Sequence, residues 1–454
     1  MSGLLFAGAT LPDGTLSDIL VRDGFVERIG SDLKADGCEV IDVGGLRVLP
    51  GLVDLHTHLR EPGFEASETV LTGTQAAAAG GFTTVFAMAN TSPVADNAGV
   101  VEQVLGRGID SGYATVQPIG AVTVGLGGAE LADLGSMATS RARVRVFSDD
   151  GKCVHDPLLM RRALEYVSTF GGVVAQHAQE PRLTSGSQMN EGAVSARLGL
   201  TGWPAVAEEA IIARDVLLAE YTNSRLHVCH LSTAGSVEIV RSAKAKGIKV
   251  TAEVTPHHLL LTDETASEYD ARFKVNPPLR TNADVMALRQ ALADGTIDIV
   301  ATDHAPHPSE HKECEWNDAA FGMVGLETAL SIVQLAMVET GLLDWVGIAR
   351  VMSHQPAVIG GVDDAAGVLA EGRIADLVFI DATSRSTLTT DDLAGKSINS
   401  PYLGMELPGR VVHTVRHGYF TQRDGVIVSA DVVSRATRDY DNSHTGAGTE
   451  VTDG

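Results

Sequence analysis

At 454 residues the chain can bury a large core, and it exceeds the usual single-domain size without demanding three domains. A net charge of -24 argues against the basic face that nonspecific nucleic-acid binding needs, and no apolar run approaches the length that spans a membrane. Four scattered cysteines (Cys38, Cys153, Cys229 and Cys314) with no CxxC pair suit free thiols in a reducing cytoplasm, and the first six residues lack the basic and apolar regions of a secretory leader.

The first 50 residues read as short strands. Asp23-Gly24 is a turn signal between two β-rich runs, 18–22 and 25–30, the pattern of a hairpin. Residues 40–43 and 46–49 continue in the same style. This segment is too short to fill a core of its own, so it is expected to pair with strands from elsewhere in the chain.

From Gly51 the texture changes to apolar runs alternating with helical stretches, the mark of βα units and a parallel sheet. Eight strands are predicted at 52–55, 83–87, 114–119, 144–147, 172–175, 225–228, 249–253 and 298–301. Helical stretches lie between them, among them 68–79, 157–170, 205–221, 236–246 and 285–294. Eight such repeats are the number that closes a (β/α)8 TIM-type barrel; an open doubly wound sheet is the competing arrangement.

Polar residues follow these strands at once. His56 and His58 come after the first, Asn90 after the second, Asp149 and Asp150 after the fourth, His177 after the fifth, His230 after the sixth and Asp303 after the eighth. In a barrel, all carboxyl-terminal strand ends open on one face. Each residue has an ordinary explanation alone, as a turn, a core histidine or a helix cap. Together they point to a metal site, because imidazole and carboxylate are standard ligands of zinc. A catalytic zinc commonly uses three protein ligands, so six donors suit two ions sharing a bridging group. Such a pair lowers the pKa of water and polarises a carbonyl, the equipment for hydrolysing an amide or ester. His257-His258, after the seventh strand, is read as structural or supporting.

Residues 309–317 form a polar, irregular stretch that is either a lid over the site or a solvated excursion. Beyond a helical stretch at 326–339, β texture returns at 375–380, 410–415 and 425–428. The expected organisation is a small β-sandwich domain from residues 1–50 and 361–434, a barrel from 51–360, and a flexible polar tail from 435–454.

Six motifs in order carry a family likeness: residues 50–60 around His56-Thr57-His58-Leu59-Arg60, 88–93 around Asn90, 147–151 ending Asp149-Asp150-Gly151, 274–280 around Asn276, 303–307 (Asp303-His304-Ala305-Pro306-His307), and 321–328 from Phe321-Gly322 to Thr328. With residues 372–378, the first of them resembles the amidohydrolase superfamily; all six together resemble the bacterial class I dihydroorotases. The resemblance implies reversible hydrolysis of (S)-dihydroorotate to N-carbamoyl-L-aspartate in pyrimidine synthesis, with two Zn2+ per subunit. It implies His56, His58 and Asp303 on one zinc, His177 and His230 on the other, Asp150 between them, and Asp303 as catalytic base and acid. Arg60, Asn90 and His307 would grip the substrate carboxylate, His58 would also face the substrate, and Asn276 with the backbone of Phe321 and Gly322 would bind the ring amides.

Many superfamily members bridge their ions with a carboxylated lysine, and Lys152 keeps that alternative open here. A homo-oligomer and, as in some relatives, association with aspartate carbamoyltransferase complete what the likeness implies. Hydantoinases and allantoinases are the alternative activity, but their uncharged rings need no carboxylate clamp such as Arg60. An inactive structural homologue is expected to have lost ligands, and none of the six is missing.

Overall fold

Asp23 and Gly24 take left-handed backbone, φ 50° and 83°, which joins Leu16–Arg22 to Phe25–Gly30 in the tight hairpin the sequence predicts. The computed structural model describes residues 3–445. The amino-terminal strands complete their pairing at the far end of the chain, since Arg47–Pro50 lies antiparallel to Leu377–Thr387 with Val48 opposite Phe379 and Leu49 opposite Val378. Through this seam both chain ends enter one nine-stranded sheet. Gly3–Thr10 pairs parallel with Cys38–Asp42 from Gly3 to Ala7 and touches Arg47–Pro50 only at Thr10. Phe6 and Phe379, two strands apart, meet with ring centroids 4.5 Å from each other in its core.

All eight barrel strands form where apolar runs predict them: Leu52–Thr57, Phe82–Ala87, Thr115–Pro118, Val146–Phe147, Val173–Gln176, Leu226–Val228, Val250–Val254 and Ile299–Val300. They pair parallel in two arcs, the first three strands in one and the last five in the other. Backbone bridges close the ring. Thr57 pairs with His304, with the His58 N–H donating to the His304 carbonyl at 2.9 Å, and Gly120 pairs with Phe147. A closed barrel, not an open sheet, is therefore the architecture.

Alternation within the strands sorts the side chains into two layers. Val53, Leu55, Phe86, Val173, Ala175 and Ile299 fill the interior. Leu52, Val85, Val116, Val228, Val250 and Val254 face outward onto helices such as Ala98–Ser111, Val206–Thr222 and Ala234–Ala245. Several helices start on side-chain caps that satisfy otherwise orphaned N–H groups: Asp156 accepts from Leu159 N at 2.8 Å, and Thr281 and Asp284 form a reciprocal capping box.

The carboxyl-terminal segment departs from expectation. Ala430–Thr445 is a helix, so residues 435–445 are not a frayed tail. Val433 is fully buried beside Tyr113 and Tyr419, and the Thr437 hydroxyl lies 3.0 Å from that of Tyr419. A few small contacts suffice to seat the helix, which is why a composition poor in apolar residues hid it. The rest of the expected tail, 446–454, lies outside the described residues.

Candidate active site

Closing the barrel brings the strand-end residues to one mouth, as the sequence predicts. His56, His58, Asp150, His177, His230 and Asp303 are all buried, at most 5% exposed. Asp150 sits in the middle. Its Oδ2 faces His56 Nε2 and His58 Nε2 at 3.3 Å each, and its Oδ1 faces His177 Nδ1 at 3.2 Å and His230 Nε2 at 3.3 Å. Asp303 Oδ1 completes the first group, 3.4 Å from His56 Nε2 and 3.0 Å from His58 Nε2. The two groups thus share one carboxylate, with one oxygen turned to each.

These spacings suit bound ions. Tetrahedral ligands with bonds of roughly 2.0–2.1 Å stand about 3.3 Å apart. His56 Nε2 is buried and makes no hydrogen bond among the described residues, and His177 Nδ1 lies only 2.9 Å from His230 Nε2. Two ring nitrogens aimed at one point need a proton or a cation between them.

The outward nitrogens of three rings are held by oxygen acceptors, which fixes the tautomer that leaves the inward nitrogen bare. His56 Nδ1 pairs with Glu253 Oε1 at 2.6 Å, His58 Nδ1 with Asn90 Oδ1 at 3.0 Å, and His177 Nε2 with Gln179 Oε1 at 2.8 Å. Glu253 heads a polar column inside the barrel: its Oε2 is 2.9 Å from His227 Nε2, and His227 Nδ1 is 2.9 Å from Thr251 Oγ1. Sequence reasoning missed Glu253 and Gln179. A carboxylate inside the apolar strand Val250–Val254 was the available signal for Glu253.

Electrostatics follow this packing. Burial works to lower the His56 imidazole, but the carboxylates of Asp150, Glu253 and Asp303 outweigh it and hold it well above its ordinary value. Burial would raise Asp303, yet His56 and His58 beside it bring it to about 2, so it is ionised throughout the neutral range. Arg60, Asp303 and His230 carry left-handed backbone, φ 62°, 48° and 30°. Such conformations cost of order 1–3 kcal/mol each and persist where the surroundings enforce them.

A cavity of about 260 Å3 opens above the cluster, small enough for a single-ring ligand. Its walls include every residue expected at the substrate: His58, Arg60, Asn90, Asn276, His307, Phe321 and Gly322. Arg60 donates from Nε to the Pro306 carbonyl at 3.2 Å, and no hydrogen bond among the described residues holds its two terminal nitrogens. Asn276 donates to Gln179 at 3.1 Å while its buried Oδ1 has no partner.

The backbone expectation needs refinement at Gly322, whose N–H already donates to the Lys274 carbonyl at 2.9 Å; the neighbouring Phe321 N–H is not committed in this way. His307 Nε2 lies 2.8 Å from the Phe321 carbonyl. Burial, with Arg60 beside it, lowers the His307 imidazole to about 3.

Other candidates fall outside the cluster. Asp149 accepts from the N–H groups of Val122 and Thr123 at 2.7 and 2.9 Å and from the Thr123 hydroxyl, an anchoring role. Lys152 is exposed and lines no part of the cavity, whereas Asp150 occupies the shared position. His258 bonds Thr255 and the Pro277 carbonyl; His257 is buried with Nε2 unpartnered. The 309–322 stretch is pinned, since the buried Lys312 ammonium donates to the carbonyls of Ala320 and Gly322 at 2.8 Å and of Lys274 at 3.2 Å.

The chain is similar to several known proteins. Residues 45–236 match the family model described as Dihydro-orotase-like. The chain is 67% identical over 426 residues to a dihydroorotase of Leifsonia xyli subsp. xyli, covering 94% of this chain and 97% of that one. It is 66% identical over 425 residues to a dihydroorotase of Streptomyces coelicolor, with 94% and 99% covered. Among solved structures it is similar to the L-hydantoinase (dihydropyrimidinase) from Arthrobacter aurescens, with a TM-score of 0.84 at 25% identity over 94% of this chain and 98% of that one. The dihydropyrimidinase from Brevibacillus agri shares the fold, with a TM-score of 0.81 at 23% identity over 94% and 96%.

Proposed function

The chain belongs to the dihydroorotase family, and from that premise we propose how its cavity hydrolyses and re-forms the ring amide of dihydroorotate. The observation that carries the reading is the pairing of two features in one small cavity. Asp150 joins two histidine groups at its floor, and an uncommitted Arg60 fork stands in its wall.

We assign His56, His58 and Asp303 to one divalent ion, His177 and His230 to a second, and Asp150 to both, with zinc as the metal. When bound, such ions lower the pKa of water and polarise a carbonyl.

The residues supply the rest. Arg60 binds the substrate carboxylate with its planar fork, helped by the Asn90 amide and by the His307 Nε2–H once it turns from the Phe321 carbonyl to the ligand. Asn276 Oδ1 accepts a ring N–H, and the Phe321 N–H donates to a ring carbonyl. Asp303, held ionised, takes the proton of the attacking water as its oxygen bonds to the amide carbon. It then delivers that proton to the ring nitrogen as the C–N bond breaks, leaving N-carbamoyl-L-aspartate. Ring closure runs through the same groups in reverse. Burial of the floor keeps bulk water from screening these interactions.

Hydantoinase action is the second reading, since the structure from Arthrobacter aurescens named above is that of an L-hydantoinase. A half-buried guanidinium facing the substrate favours an anionic ring over an uncharged one. The test is turnover of dihydroorotate against hydantoin and allantoin, before and after chelation, for the parent and for Asp303→Asn. We expect dihydroorotate as the substrate, loss on chelation with recovery on adding zinc, and a folded Asp303→Asn with turnover reduced at least about 1,000-fold. An active Asp303→Asn would remove that residue from proton transfer. Metal analysis and sedimentation extend the test to two zinc ions per chain and to a homo-oligomer.

A further inference from the structure

The opposite end of the barrel holds a second cavity, about 450 Å3, where strands begin rather than end. Four arginines line it: Arg141, Arg143, Arg145 and Arg416. In the segment entering the fourth barrel strand, Ala142 and Val144 are buried, whereas Arg141 and Arg143 are exposed and Arg145 is half-buried, and all three arginines line the cavity. In a chain with 58 acidic and 34 basic residues, such a concentration of positive charge is out of keeping with the average surface.

None of the four takes part in an ion pair among the described residues. Arg145 donates from one terminal nitrogen to the carbonyls of Ala138 and Val144, both at 2.9 Å. The buried Arg416 donates to the Gly112 carbonyl at 3.1 Å, to the Thr115 hydroxyl at 3.3 Å and to the Tyr419 hydroxyl. These partners are neutral, and the negative charge that acts on Arg416 is that of Asp376. The side chains of Arg141 and Arg143 make no hydrogen bond within the described residues. Two carboxylates share the cavity. Asp376 is buried, with Oδ1 taken by the His417 backbone N–H at 2.7 Å, and Asp364 is exposed at the rim.

We propose that this cavity is a binding site for a phosphate-bearing small molecule, separate from the catalytic mouth. Guanidinium forks match phosphate oxygens in bidentate geometry, and a concave site focuses their field. Four cations against two carboxylates leave a net positive charge for a multivalent anion to neutralise, and the volume accommodates more than one phosphate group. The inference does not depend on the catalytic reading.

Isothermal titration of the intact, ion-replete enzyme with inorganic phosphate tests it in four arms. The parent is expected to bind saturably, with affinity falling as salt rises. The double variant Arg141→Ala/Arg143→Asn is expected to weaken binding at least about tenfold while dihydroorotate turnover is kept; asparagine tolerates the left-handed φ of 47° at position 143. Asp364→Asn, which removes a negative charge, is expected to tighten binding several-fold, a gain that misfolding cannot imitate. Arg60→Ala is expected to leave phosphate binding unchanged. No saturable binding by the parent, equal affinity in the double variant, no gain in Asp364→Asn, or loss in Arg60→Ala would each overturn the assignment.

Discussion

Replacing Glu253 by glutamine isolates how the barrel interior prepares the site. The carboxylate receives three N–H groups: His56 Nδ1 at 2.6 Å and the His230 backbone at 3.2 Å on Oε1, and His227 Nε2 at 2.9 Å on Oε2. Glutamine keeps one acceptor oxygen and turns an NH2 toward a former N–H donor. One of the two imidazoles must then flip its tautomer or lose its partner. If His56 flips, its proton moves to Nε2, the atom facing Asp150 and Asp303. Hydrogen bonds to charged groups contribute about 1.5–3 kcal/mol each. Loss of an acceptor behind a ligating histidine typically weakens metal binding about 10–100-fold, or about 1.4–2.8 kcal/mol. Competition of Glu253→Gln with a chromophoric zinc chelator, compared with the parent, measures this directly. The variant is expected to release its weaker ion first and to recover turnover in excess zinc. Zinc affinity within twofold of the parent would refute the idea that Glu253 sets the His56 tautomer.

Two further outcomes are expected. Arg60→Ala removes both terminal nitrogens of the carboxylate fork, so the KM for dihydroorotate should rise about 100-fold or more with a much smaller change in kcat; a change confined to kcat would contradict the clamp. His257 is buried and held neutral, because burial lowers its imidazole to about 4. Between that value and the ordinary 6.5 the unfolded chain binds more protons, so this residue makes stability fall as pH drops from 6.5 toward 4. Its contribution is about 1.4 kcal/mol per pH unit in that window. Urea unfolding of His257→Gln from pH 7 to 4 should therefore show a shallower decline than the parent, and parallel curves would contradict the assignment.

Much of this architecture was legible in local pattern. The eight apolar runs became the eight barrel strands because short buried strands leave a continuous hydrophobic trace, and Asp23-Gly24 fixed its hairpin through backbone conformation. The site was legible because barrel closure sends every strand end to one face, so His177 and His230, 53 residues apart, come within 2.9 Å. What escaped depends on contacts between strands. Glu253 and Gln179 are named as partners only by rings from other strands or by the local turn after His177. The backbone of Phe321 and Gly322 was assigned to substrate, and the Gly322 N–H is held by the Lys274 carbonyl, a partner 48 residues away in sequence. The helix Ala430–Thr445 was hidden because its burial rests on Val433 and Thr437 against distant tyrosines, not on an apolar stripe of its own.

The central claim is that Asp150 joins two ion sites through its two oxygens. Crystals of the zinc-replete protein measured on either side of the zinc absorption edge test it most directly. Two anomalous peaks flanking Asp150 are expected, one among His56, His58 and Asp303 and the other between His177 and His230. A single peak, or peaks away from Asp150, would contradict it.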